Sequence, residues 1–145
     1  MKKFELTNEF ITNMFGTKLF RIRALVEFGD VEAGELGGYV EKESNLGHDD
    51  NAWVYDNARV YGDAQVSGDA LVYGNGDYAY AHGFGSVNRT TTFFRLKDGG
   101  VGVRCGCFYG TLAQFRDKIR ETHGETKKAQ EYLMLADLMK LRFEK

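Results

Sequence analysis

Residues 51–74 run NAWVYD NARVYG DAQVSG DALVYG, and NGDYAY follows at 75–80. Valine returns every six residues at Val54, Val60, Val66 and Val72, with Tyr78 in the next slot. Alanine stands two residues ahead of each valine, at Ala52, Ala58, Ala64 and Ala70. In extended backbone, residues two apart project to the same side, so each Ala–Val couple forms an apolar edge. Between the couples stand Asp56-Asn57, Gly62-Asp63, Gly68-Asp69 and Gly74-Asn75. These residue types tolerate the left-handed region and close tight corners. A short strand and a two-residue corner, repeated, predict parallel strands stacked coil upon coil.

The units resemble the hexapeptide repeats of left-handed parallel β-helix proteins. That resemblance implies triangular coils of three hexads and a left-handed winding, against the usual crossover rule. Toward the N-terminus, Val40 and Leu46 fit the inward slot, with Gly38 and Ser44 as small partners. Leu46 and Val54 are eight apart rather than six, which predicts a two-residue bulge at His48-Asp49-Asp50. The expected fold is mainly β with a C-terminal α part: a short left-handed parallel β-helix of about 2–2.5 coils over 38–83. So short a solenoid leaves unpaired strands at both ends, and the rest of a single domain has to cap them.

Residues 1–37 read as the N-terminal strand cap, because Phe20, Ile22, Ala24 and Val26 alternate with Leu19, Arg21, Arg23 and Leu25. Residues 84–145 read as a β-hairpin followed by two helices. Strands at 90–96 and 101–109 flank Lys97-Asp98-Gly99-Gly100, a hairpin turn. Thr111 and Gln114 have capping-box spacing, and Leu112, Phe115 and Ile119 make one helical face. A second helix over about 126–143 carries Tyr132, Leu135, Ala136, Met139 and Phe143 on one stripe.

The bulk composition excludes some classes. A net charge of −2 over 145 residues provides no basic field for nucleic acid. No stretch is long and apolar enough for a membrane span, and the start, MKKFE, predicts no secretory signal. Two cysteines two residues apart, Cys105 and Cys107, fit a reducing cytoplasm.

Four constellations could carry chemistry. His48, at the bulged corner, is the candidate base of an acyltransferase-like enzyme. His48, His82 and His123 lack the close pairing of zinc-dependent hexapeptide enzymes, and Cys105 and Cys107 read as apolar packing; neither a metal nor a cofactor is expected. The stretch from His82 to Thr92 is the most ligand-like. Gly83, Gly85, Ser86, Arg89, Thr90 and Thr92 there could hold an anion or nucleotide through backbone N–H groups, hydroxyls and a guanidinium. Lastly, three hexads per coil would place Val72 over Val54 and Val60 over Val40. Trp53, Tyr55, Leu71 and Tyr73 would then share one outward face, an interface candidate. Arg59 would be placed to pair with Asp77.

At the level of phrases the chain also resembles uncharacterised proteins encoded by phages and prophages. The phrases are LFRIRAL at 19–25, GGYVE at 37–41, the hexads, FFR at 93–95 and CGCF at 105–108. This resemblance implies a phage accessory protein acting in the bacterial cytoplasm. The function expected is non-enzymatic: binding of a host target to counter antiviral defence, the target being a host protein or a small nucleotide. Self-association into a homo-oligomer is expected, and contact with membrane or nucleic acid is not. The alternatives are the acyltransferase-like enzyme and a purely structural assembly module.

Overall fold

A computed structural model describes residues 2–84, 89–105 and 108–144. The chain begins with strands β1 (Phe4–Thr12) and β2 (Lys18–Ala24), paired antiparallel. β3 (Leu36–Val40) adds antiparallel to β2, with Phe20 opposite Val40. The hexads follow as three strands of two residues each: β4 (Trp53–Val54), β5 (Arg59–Val60) and β6 (Leu71–Val72). β5 pairs parallel to β3 and β4 pairs parallel to β6; a single parallel bridge joins Leu46 to Val66. β7 (Tyr78–Phe84), β8 (Arg89–Arg95), β9 (Val101–Cys105) and β10 (Phe108–Thr111) then form an antiparallel sheet. Helices α1 (Leu112–His123) and α2 (Lys127–Phe143) pack on it.

The expected left-handed parallel β-helix is therefore not the architecture. The chain forms a mixed sheet in the order β1-β2-β3-β5, an antiparallel sheet in the order β10-β9-β8-β7, and the small parallel pair β4-β6. Val54 does pair with Val72 and Val40 with Val60. Those ladders stay at two residues because corners recur every six, at Asp56, Gly62 and Gly68, with φ of 52°, 65° and 66°. The flanking strands run to seven and nine residues, so antiparallel pairing dominates the hydrogen bonding. The fifth unit, NGDYAY, leaves the hexad pattern: Tyr78 starts β7, which pairs antiparallel with β8.

The six-residue recurrence governs burial rather than a helical winding. Ala52, Val54, Ala58, Val60, Ala64, Val66, Ala70 and Val72 are all buried, in one core with Phe4, Ile22, Val40, Leu46 and Phe94. Close approach explains the glycines of β3. A Cβ on Gly37 would lie 2.6 Å from the Val54 carbonyl, and one on Gly38 would lie 2.6 Å from that of Ala58. No side chain fits there without moving backbone.

The two-residue surplus at 48–50 is where the N-terminus is stitched in. Lys3 is buried, and its Nζ donates to the Ala52 carbonyl (2.6 Å), the Asp50 carbonyl (3.0 Å) and Asp50 Oδ1 (3.2 Å). Asp50 Oδ2 accepts from the Gly68 amide (2.7 Å), so one carboxylate joins strand cap, corner and a later hexad.

A second core gathers Phe93, Val103, Phe115, Ile119, Ala129, Tyr132, Leu135, Ala136, Met139 and Phe143 between the antiparallel sheet and the helices. α1 opens with the expected reciprocal box: Thr111 Oγ1 accepts from the Gln114 amide, and Gln114 Oε1 accepts from that of Thr111. The strand expected over 101–109 is two strands, β9 and β10, with Phe108 opposite Cys105. Alternation in β2 also breaks: Leu19 and Ile22 are both buried, because pairing shifts register between Leu6 and Phe10 and between Arg21 and Arg23. No described helix is long and apolar enough to cross a membrane.

Candidate protein-interaction surface

The four residues expected to share an outward face separate by burial. Trp53 is fully buried, with Phe28 edge-on at 5.3 Å and Phe4 edge-on at 6.4 Å between ring centres. The N-terminal segment covers it, which corrects its expected exposure. Packing against Phe4 and Phe28 outweighs the indole N–H, which has no hydrogen-bond partner among the described residues. Leu71 lies beside Trp53 in the β4–β6 pair and is half-buried. Tyr55 stacks on Tyr73 at 4.3 Å with 11° between the rings, and Tyr73 is the only one of the four that is exposed. Burial, then the neighbouring Tyr73, pushes the Tyr55 phenol up to about 12, so it stays protonated at neutral pH.

The ligand-like stretch is largely committed to structure. Gly83 lies in β7 and Arg89 in β8, while Gly85 and Ser86 lie outside the described residues. Thr92 is buried, and its Oγ1 accepts the Gln65 amide at 2.9 Å, tying β8 to a hexad. Thr90 Oγ1 lies 2.8 Å from His82 Nδ1. Of the other candidates, Cys105 is a half-buried free thiol that accepts from Thr91 Oγ1 at 3.3 Å, and Cys107 lies outside the described residues. Asp77 pairs with Arg95 at 3.1 Å.

His48 is held on three sides. Its ring stacks on Phe4 at 4.3 Å, Nδ1 accepts the Lys3 amide at 3.1 Å, and Nε2 faces Glu43 at 3.5 Å. With the Nδ1 lone pair taken by an N–H, the proton resides on Nε2, and no lone pair is left for a substrate. This geometry opposes the acyltransferase role.

Among the described residues, the most exposed large apolar side chains are ones that periodicity does not flag. At the tip of the β1–β2 hairpin, Met14 is 89% and Phe15 86% exposed. The turn is ordered: Asn13 Oδ1 accepts the amides of Phe15 (2.9 Å) and Thr17 (3.0 Å), and the Asn13 amide donates to the Thr17 carbonyl. Asn13 thus closes an Asx-type turn and holds both apolar side chains toward solvent. A turn between two strands calls for polar residues, so TNMFGT at 12–17 was a signal readable in the sequence. Phe10 extends the apolar surface along β1, with Lys18 Nζ 4.8 Å above its ring.

No protein-family model matches the chain, and no curated protein shows significant sequence similarity to it.

Proposed function

We propose that this chain is a non-enzymatic phage accessory protein that binds a host protein in the bacterial cytoplasm and so counters an antiviral defence. The hairpin tip carries this reading. Burying one Phe or Met side chain contributes about 1.5–3 kcal/mol, so Met14 and Phe15 together offer roughly 3–6 kcal/mol, the scale of an interface hot spot. The Asn13 hydrogen bonds supply the preorganisation that keeps ordering costs low on docking. The phage setting rests on the phrase-level resemblance, and the protein target is favoured over a nucleotide because the Thr92 hydroxyl is already engaged.

The test is plating efficiency of a phage on a defence-bearing host that expresses the chain, beside capture of host protein from the same cells. Wild type should raise plating and retain one host protein in stoichiometric amount. Met14→Ser with Phe15→Ser should lose both effects while keeping the wild-type melting temperature. A double variant that still protects the phage and still retains the same protein overturns the proposal.

A further inference from the structure

α2 is apolar on two sides. Tyr132, Leu135, Ala136, Met139 and Phe143 are buried against the sheet and α1. On the opposite side Met134 is 71%, Leu138 55% and Leu141 68% exposed. Intervals of four and three residues keep these three on one stripe. On its Asp137 flank the stripe borders a cavity of about 660 Å³, and on the other side Leu138 contributes, beside Tyr61, Tyr80 and Arg142, to a groove of about 500 Å³. Exposed apolar patches at the scale of roughly 300–600 Å² mark interfaces on monomers.

The charges beside the stripe select its occupant. Glu131 lies one turn before Met134 and Arg142 one residue after Leu141. At about 100° per residue both fall on the same flank, within about 20° of each other around the axis. A two-fold axis crossing α2 near Leu138 preserves that flank and reverses the helix direction. It therefore sets Glu131 of each copy beside Arg142 of the other, twice per pair. Parallel pairing has its two-fold axis along the helices, so it would set this flank against the partner's opposite flank and leave Glu131 and Arg142 unpaired with each other. On the other flank Asp137 is already neutralised by Arg116 at 2.6 Å, so it does not repel its symmetry mate.

We propose that the outer face of α2 is the interface of an antiparallel homodimer, with Met134, Leu138 and Leu141 at its centre and Glu131–Arg142 pairs at its rim. A standard interface covers about 800 Å² per partner; the 17-residue helix and the Tyr61 groove provide the surface. Such an isologous contact closes at two copies.

Sedimentation equilibrium of the full chain over a wide concentration range tests it. Wild type should fit twice the chain mass. Leu138→Glu, at an exposed position that leaves folding intact, should raise the dissociation constant at least about 100-fold. Glu131→Arg should weaken the dimer about tenfold, and Glu131→Arg with Arg142→Glu should restore it. A monomeric wild type, or a dimer indifferent to Leu138→Glu, overturns the interface. Failure of the charge exchange to restore association overturns the antiparallel register.

Discussion

Asp50→Asn is the sharpest probe of how the molecule is held together. The side chain keeps its shape but loses the charge opposite Lys3, whose ammonium is buried and 4.5 Å above the Phe28 ring. Asparagine has one carbonyl oxygen, so it can no longer accept from Lys3, Ala52 and Gly68 together. Stripping one partner from a buried ion pair costs about 3–5 kcal/mol. Asp50 is partly solvated, which favours the lower end, about 3 kcal/mol, a large share of the roughly 5–15 kcal/mol that stabilises a domain. The sign of the pH dependence follows from Lys3. Burial lowers its pKa below the usual 10.5, and Asp50 opposes that shift. Between the lowered value and 10.5 the unfolded chain binds more protons, so stability rises with pH across that window. Without Asp50 the folded value falls further, and the window extends to lower pH. The deficit of Asp50→Asn should therefore be largest near neutrality and shrink as pH approaches 10.5, because the folded Lys3 ammonium loses its charge across that window. Urea titrations followed by the fluorescence of Trp53, the single tryptophan, measure this directly. A cycle with Lys3→Met should show the double variant losing less than the sum of the single losses. A loss under about 0.5 kcal/mol, or a deficit that does not change with pH, would refute the account of Lys3 as a buried, paired cation.

Two further perturbations address the hexads. Val60→Asp should abolish cooperative unfolding, because the carboxylate would enter the fully buried ladder with Val40; Val60→Ile should cost about 1–3 kcal/mol by overpacking. A cooperatively folded Val60→Asp protein, seen by circular dichroism, would contradict the burial pattern. Gly68→Ala should destabilise by more than about 1 kcal/mol, since φ is +66° and the new methyl would overlap the Tyr109 ring and hydroxyl. The double change with Tyr109→Ala should return only the steric part, and full recovery would mean that the backbone carries no strain.

Inward residues were legible in the sequence because burial in extended segments depends on period alone. Ala–Val couples two residues apart, recurring every six, had one apolar side whatever sheet they joined. The helices were legible for the same reason: Thr111 and Gln114 set the start of α1, and the Tyr132–Phe143 stripe set the inner face of α2. Strand partnership was not legible. A two-residue strand has no preference strong enough to impose a parallel coil, so the long β1–β2 and β7–β8 pairs decided the sheets. Nor could local pattern show what covers an outward side chain. Trp53 and Tyr73 both flank the valine slot of their hexads, at the third and fifth positions, yet only Trp53 lies beneath Phe4 and Phe28. Met14 and Phe15 stayed bare because the Asn13 turn holds them toward solvent, and the outer stripe of α2 stayed bare because the inner one filled the core. Period determines which side of an element is apolar. Only the assembled chain decides which apolar sides find a neighbour, because contacts between distant segments have no signature in the spacing of either one.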